Sequence, residues 1–457
     1  MKSTTLKIDR LANGGEGIGR LNEKVVFVPY TLPGEVVQCV SQSSKKNYSR
    51  FLPVSVKTSS PHRIQPRCSL HFQSQAFPLW CGGCEWQHMD IGFQGTSKKI
   101  LISETLERLG GLSQPPVESV LSSPESWRYR NKVQIPFRKE KGKIIGGFFA
   151  PASHQIVEFD DCPIQSTLSV DIFQFVRQYA NQHHWSAYDE DRHQGWLRHL
   201  LIRTNQKAQA LVVLVTKSSE FRDKNQFGKE LRSQFPQVLG LHQNIQSARG
   251  NVILGSHWNR IGGSDFLEEE LCGRLFRYGP GSFFQVNTQA AALLYQKAIE
   301  ALDPDPSDLL LDLYSGVGCL AILAADKVKY VLGVEVVASA VRHAKMNAQL
   351  NKVRNVEFSC MKAENVFQDP SRSWIREEGS RLKVLLDPPR TGCDPSLLTA
   401  LLRVRPKKIV YVSCYPGTLA RDLKFLSKRF VVKKVTPVDM FPHTSHIESV
   451  TTLECRT

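Results

Sequence analysis

Cys414 ends the apolar run KIVYVSC and is followed by Tyr415, Pro416-Gly417 and the helical pattern TLARD. Most cysteines are small core residues. One placed between a buried strand and a helix N-terminus, with a Pro-Gly turn keeping it open, is expected to be drawn toward thiolate and to act as a nucleophile. Further on, DMFPHTSHIESV supplies His443, His446 and Glu448. Histidine is the usual base near neutral pH, whereas a carboxylate serves when an apolar pocket raises its pKa. The pattern leaves the base open between the three. A thiolate with a base nearby is equipped for covalent catalysis, in which sulfur adds to an electron-poor carbon and loss of a proton later frees it.

A second constellation concerns a cofactor. The run Leu309 to Leu313 leads into Ser315-Gly316-Val317-Gly318-Cys319-Leu320-Ala321, a Gly-x-Gly-x-x-Ala pattern where a strand turns into a helix. Glycines there let a ligand approach the backbone, and Glu335, 19 residues after Gly316 in LGVEV, is placed to accept from ribose hydroxyls. This predicts an adenosine-containing cofactor without separating NAD from S-adenosylmethionine. Asp387 in VLLDPPR closes a later strand, where open α/β sheets bind ligands, although Asp-Pro is also a common turn. Next to such a cofactor the thiol has a specific use. Carbon 5 of uracil is a poor nucleophile until a thiolate adds to carbon 6 and makes an enolate, which can attack a sulfonium methyl.

A third constellation consists of Cys68, Cys81 and Cys84 with the distant Cys162-Pro163. Four thiolates suit either tetrahedral zinc or a [4Fe-4S] cluster, and spacing favours neither strongly. Cys81-Gly-Gly-Cys84 lacks the βαβ surroundings of a redox dithiol.

These groups need elements to hold them. Residues 1–60 alternate short β-rich runs with glycine turns, as a small barrel does, and carry 9 Lys+Arg against 4 Asp+Glu. Residues 61–270 are strand-rich, with a helix predicted over 97–112. Residues 271–457 alternate apolar runs with helical stretches, the sign of a parallel sheet with crossover helices. The expected fold is α/β: a C-terminal Rossmann-like domain, an OB-like N-terminal β-barrel and a β-rich central domain. The net charge of +16 over 457 residues suits a polyanionic partner. No apolar stretch of bilayer length or signal sequence is seen, so the protein is expected in the cytoplasm, its eleven cysteines reduced. Trp127 to Lys132 and Trp196 to His199 mix basic and aromatic residues, which could stack bases and hold phosphates or be ordinary strand residues.

The ordered motifs SFFQVN (282–287), LDLYSGVG (311–318), LLDPPR (385–390), YVSCYPGTLARD (411–422) and DMFPHTSHIES (439–449) give the chain a full-length resemblance to the bacterial 23S ribosomal RNA uracil-5-methyltransferases. The resemblance implies a class I S-adenosylmethionine-dependent enzyme that methylates carbon 5 of a uridine in 23S rRNA. It implies Cys414 as nucleophile, Glu448 as proton acceptor, and Gln285, Tyr314, Glu335 and Asp387 as cofactor-binding residues. It further implies a [4Fe-4S] cluster on Cys68, Cys81, Cys84 and Cys162, and a TRAM barrel at the N-terminus. The chain departs from the pattern at Cys319 and Lys362, where relatives often carry cofactor-contacting polar residues, and in a longer first cysteine gap around SQAFPLW. The related transfer RNA enzyme is expected to lack the barrel, which favours ribosomal RNA. The expected partner is therefore RNA, acted on by a monomer. A transfer RNA uridine methyltransferase, a non-catalytic RNA-binding assembly factor and an NAD-linked oxidoreductase are the competing readings.

Overall fold

A computed structural model describes residues 3–73, 79–378 and 381–456. Of the longer cysteine gap, residues 74–78 lie outside the described residues. The chain forms two compact units, one within Met1–Ser97, Glu125–Leu267 and Pro442–Ser445, the other within Lys98–Pro124, Glu268–Phe441 and His446–Thr457.

The first unit contains a six-stranded sheet in the order Ser3–Lys7, Val36–Ser44, Tyr48–Thr58, Lys24–Val28, Gly17–Leu21, Arg10–Leu11. Inward residues alternate along its strands and close on Leu6, Ile8, Val26, Val28, Val37, Cys39 and Phe51. The unit also holds a seven-stranded sheet whose inner strand Ala210–Thr216 is buried at every position. Helices Thr167–Gln182 and Lys224–Gln234 contribute Phe173, Val176, Phe227 and Leu231 to its core.

The second unit is built on a seven-stranded sheet in the order Val356–Cys360, Tyr330–Glu335, Leu309–Leu313, Leu382–Leu386, Lys408–Ser413, Glu448–Cys455, Phe430–Val438. The first five strands run parallel, and Glu448–Cys455 is antiparallel to both its neighbours. Strand order reverses between Leu309–Leu313 and Leu382–Leu386, so a crevice opens outside their carboxyl ends, where open α/β sheets take ligands. The Rossmann-like expectation for the last third is met.

The helix predicted over 97–112 is displaced, running over Ile91–Arg108. Its start is set by Asp90, whose Oδ1 accepts from the Phe93 N–H at 2.9 Å, a capping signal ahead of the apolar periodicity. It ends before Gly110-Gly111, with Gly111 in the left-handed region at φ +68°.

Candidate active site and a four-cysteine cavity

Backbone register brings the two reactive residues together. Ser413 pairs with Ser449 on antiparallel strands. One step outward on each strand, Cys414 therefore faces Glu448 at the same sheet edge. Asp387 follows the strand Leu382–Leu386 at that edge. Glu448 is buried, Cys414 and Asp387 are half-buried, and Arg390 is exposed.

The electrostatics differ from the sequence expectation in one respect. The helix after Cys414 begins at Pro416, but it does not make the thiol acidic. Burial, then Glu448 and Asp387, push the Cys414 thiol up to about 11, and Arg390 is the cation that opposes them. Burial, then Asp387, raises the Glu448 carboxyl to about 8, again against Arg390. Asp387 is raised by burial to about 7. Burial and two like charges outweigh a helix terminus whose influence fades within a turn.

The other base candidates are engaged elsewhere. His443 is buried and stacks on Trp127 with centroids 3.8 Å apart, while Arg67 lies 5.2 Å over the other partner of that stack, the Trp127 ring. His446 Nδ1 lies 3.4 Å from the Arg390 guanidinium, and its ring meets Phe441 edge-on.

The glycine loop forms a cradle. Gly316 at φ +55° would have only open space around a Cβ. Gly318 at φ +86° is pressed against Phe358, and Tyr314 adopts a left-handed φ of +67°. Glu335 joins the loop to its neighbouring strand: Oε2 accepts from the Gly316 N–H at 3.0 Å and Oε1 from the Val337 N–H at 2.8 Å. Asp312 is buried with neither carboxylate oxygen in a well-formed hydrogen bond; burial and then Asp387 raise its pKa well above the ordinary range. Ser315 Oγ is likewise buried without a partner. Buried polar groups left unmatched beside an open glycine turn fit a polar, amino-acid-bearing adenosyl ligand. Gln285 is buried, and its side chain shares a hydrogen bond with the Tyr295 hydroxyl on helix Thr288–Leu302. Cys319 is buried at the start of helix Cys319–Ala325, and Lys362 is exposed.

Sequence reasoning passed over Arg390, Asp312 and Tyr295, and also Phe283, which is 70% exposed two residues before Gln285. No sequence signal could have found the exposed Phe283 ring, because exposure is not written in the local pattern.

In the first unit, Cys68, Cys81, Cys84 and Cys162 line one cavity of about 90 Å³ with His71 and Arg130. Burial raises all four thiols, Cys81 to about 11 and Cys162 to about 12, and each of these two also feels the charge of Cys68. The Arg128 guanidinium grips Asp161 with two hydrogen bonds of 2.7 Å and donates to the Cys162 carbonyl at 2.9 Å, which orders the Cys162-Pro163 turn. Among the described residues, no three His, Cys, Asp or Glu side chains are grouped as a single-ion metal site.

Of the mixed basic and aromatic runs, Trp196 to His199 is largely internal. Arg198 is 2% exposed, donating to the Gln246 and Ala248 carbonyls and lying 4.1 Å over the Tyr188 ring, while Trp196 packs on Trp185 and Phe221. Arg198 lies on Leu197–Thr204, an inner strand of the central sheet, which accounts for its burial. No helix among the described residues is long and apolar enough to cross a membrane.

Comparison with known proteins agrees with this architecture. An uncharacterized RNA methyltransferase of Oceanobacillus iheyensis is 39% identical over 98% of this chain and 96% of its own length. One from Bacillus cereus is 36% identical over 96% of this chain and 94% of its own length. The crystal structure of Pyrococcus abyssi tRNA (uracil-54, C5)-methyltransferase in complex with S-adenosyl-L-homocysteine is similar at a TM-score of 0.77 and 26% identity, covering 98% of this chain and 99% of that one. The TRAM domain model matches residues 2–50 and the tRNA (Uracil-5-)-methyltransferase model residues 96–456. The chain is an RNA methyltransferase and belongs to the tRNA (uracil-5-)-methyltransferase family.

Proposed function

We propose that the protein transfers a methyl group from S-adenosylmethionine to carbon 5 of a uridine in 23S ribosomal RNA through a covalent Cys414 adduct. The observation that carries this reading is the register that sets Cys414 opposite the buried Glu448, beside Asp387. Gln285, Tyr314, Glu335 and Asp387 would hold the cofactor, and the open Gly316 turn with the unmatched Asp312 and Ser315 supports that assignment. S-adenosylmethionine, when bound, supplies the electrophilic methyl group.

The chain's own residues do the rest. Cys414 Sγ, once deprotonated, forms a bond to carbon 6, and the displaced π electrons make carbon 5 nucleophilic. Arg390 is the cation that favours this thiolate. After carbon 5 has gained its methyl group, ionised Glu448 removes the proton there. The electron pair re-forms the ring double bond, the carbon–sulfur bond breaks, and Cys414 leaves as thiolate. A carboxylate raised to about 8 is a stronger base than an ordinary glutamate, which suits this step.

On the same reading, residues 1–60 are an RNA-binding barrel, 61–270 a central domain and 271–457 the catalytic domain. Cys68, Cys81, Cys84 and Cys162 hold a [4Fe-4S] cluster. The cavity that these four thiols line together supports the assignment, since the thiolates of such a cluster bind separate iron atoms. Methyl transfer moves no net electron, so the cluster's part is structural.

Transfer RNA is the second reading for the substrate. The P. abyssi transfer RNA enzyme covers 98% of this chain, N-terminal strands included, so the barrel does not argue against transfer RNA. The decisive experiment is incubation with 5-fluorouridine RNA. A denaturation-resistant protein–RNA adduct that disappears in Cys414→Ala is expected; an adduct surviving that substitution refutes the nucleophile. Mapping 5-methyluridine in ribosomal and transfer RNA with and without the protein separates the two substrates.

A further inference from the structure

Lys98 and Asp439 form an ion pair that no step above uses. The Lys98 ammonium donates to Asp439 Oδ1 at 2.6 Å and to the Phe441 carbonyl at 3.2 Å. Their side chains are 0% and 5% exposed. Desolvating both charges is expensive, and replacing such a pair with apolar residues often stabilises a protein, so stability alone is a weak reason for one here.

Its position offers another reason. Val438 is the cross-strand partner of Glu448, and Asp439 is the next residue. From there the chain leaves the strand as a strap, Asp439 to Phe441, held at every residue. Asp439 Oδ1 also accepts from the Phe441 N–H at 3.1 Å, and the Asp439 N–H donates to the Leu121 carbonyl at 2.8 Å. The Met440 carbonyl accepts from Asn287 Nδ2 at 3.1 Å. Asn287 caps helix Thr288–Leu302 and stands two residues after Gln285. The strap thus ties the strand end opposite Glu448 to helix Ile91–Arg108 on one side and to the Gln285 segment on the other.

We propose that Lys98, through its ion pair with Asp439, is a positioning residue for Glu448, holding the strand end opposite it so that the carboxylate meets the proton on carbon 5. This rests on the reading of Glu448 as proton acceptor. Lys98 is fully buried, out of reach of substrate, and its effect falls on the elimination step, because the Gln285 segment keeps its own tie through Asn287 to the Met440 carbonyl.

The test is rapid-quench kinetics with radiolabelled cofactor and substrate RNA, which separates formation of the methylated adduct from its breakdown. Lys98→Met leaves a buried carboxylate unpaired and endangers folding, so Lys98→Met/Asp439→Leu, which buries no lone charge, is measured beside it. Glu448→Gln is run in the same assay. The expected result for the double variant is cooperative unfolding at a melting temperature close to that of the parent, adduct formation within about twofold, and adduct breakdown slowed tenfold or more. Equal slowing of both steps, or unchanged breakdown, while Glu448→Gln still accumulates adduct, overturns the positioning role and leaves the base assignment standing. Failure of Glu448→Gln to accumulate adduct overturns both.

Discussion

Asp387 stands close enough to Glu448 that, after burial itself, its carboxylate is the main reason the Glu448 carboxyl titrates near 8. Arg390 opposes the shift, and Cys414 and Tyr295 in turn feel the Glu448 charge. Asp387 is raised by burial only to about 7, so its negative charge is largely in place before Glu448 ionises. On the proposed mechanism adduct breakdown needs ionised Glu448, so its rate should rise with pH, about tenfold per unit on the acid side, and level off above about 8. Arg390→Met should move the inflection upward, because the opposing cation is gone. Quenched-flow adduct decay between pH 6 and 9 measures it; a flat profile would exclude Glu448 as the base.

The same carboxyl should be a stability liability. Its folded pKa of about 8 lies above its ordinary value of 4.5, so between these limits the native state holds a proton that the unfolded chain has lost. Glu448 therefore destabilises the cofactor-free protein progressively as pH rises from about 4.5 to 8. Between pH 5 and pH 8 Glu448→Gln should gain on the parent by on the order of 3 kcal/mol, within the 1.4 kcal/mol that each pH unit allows. Melting temperatures of both proteins across that range provide the check. An advantage that shrinks with rising pH would contradict the buried-carboxyl assignment.

The parts of the site legible in the sequence were those carried by local pattern. Cys414, Asp387 and the glycine loop each sit at the end of an apolar run, so strand periodicity alone places them at one sheet edge. Glu335 followed from its spacing to Gly316, although its bond to the Gly316 N–H could not be read. What stayed hidden depends on distant chain meeting chain. The facing of Cys414 and Glu448 comes from the Ser413–Ser449 register, set by a strand that runs against the parallel sheet. The thiol's high pKa was missed because helix position is local, whereas burial and the Glu448 and Asp387 charges are not. Arg198 stays ambiguous in the sequence for the same reason: a charge beside tryptophan fits an RNA contact or a strand residue until its strand proves internal.

Two glycines of the cradle should separate fold from ligand. A Cβ on Gly318 would stand 2.7 Å from the Phe358 ring, at φ +86°. Gly318→Ala must strain the backbone and displace that ring, and should destabilise the protein by about 2 kcal/mol or more. At Gly316, φ is +55° and nothing lies within 4 Å, so Gly316→Ala carries only the left-handed penalty, about 1 kcal/mol. Its methyl group instead enters the space assigned to the cofactor. Calorimetry should find Gly316→Ala folded with S-adenosylhomocysteine affinity reduced tenfold or more. Normal affinity in Gly316→Ala would move the cofactor away from this turn.

The four-cysteine cavity makes a separate prediction, because it joins residues far apart in sequence. Cys84 and Cys162 are 78 positions apart, and a group bound to both closes that length of chain as a crosslink would, restricting the unfolded state. Anaerobically purified protein should contain about four iron and four sulfide per chain. Cys84→Ala or Cys162→Ala should lose both and melt at lower temperature, while Cys414→Ala keeps them. Arg128→Leu should weaken retention of iron without removing a thiol, because Asp161 and the Cys162 carbonyl lose the guanidinium that orders the turn. Since no step of methyl transfer consumes an electron, cluster-depleted protein that remains folded should keep Cys414 able to form its adduct. Stoichiometric zinc in place of iron, or full iron retention without Cys162, would sink the cluster assignment while leaving the Cys414 chemistry untouched.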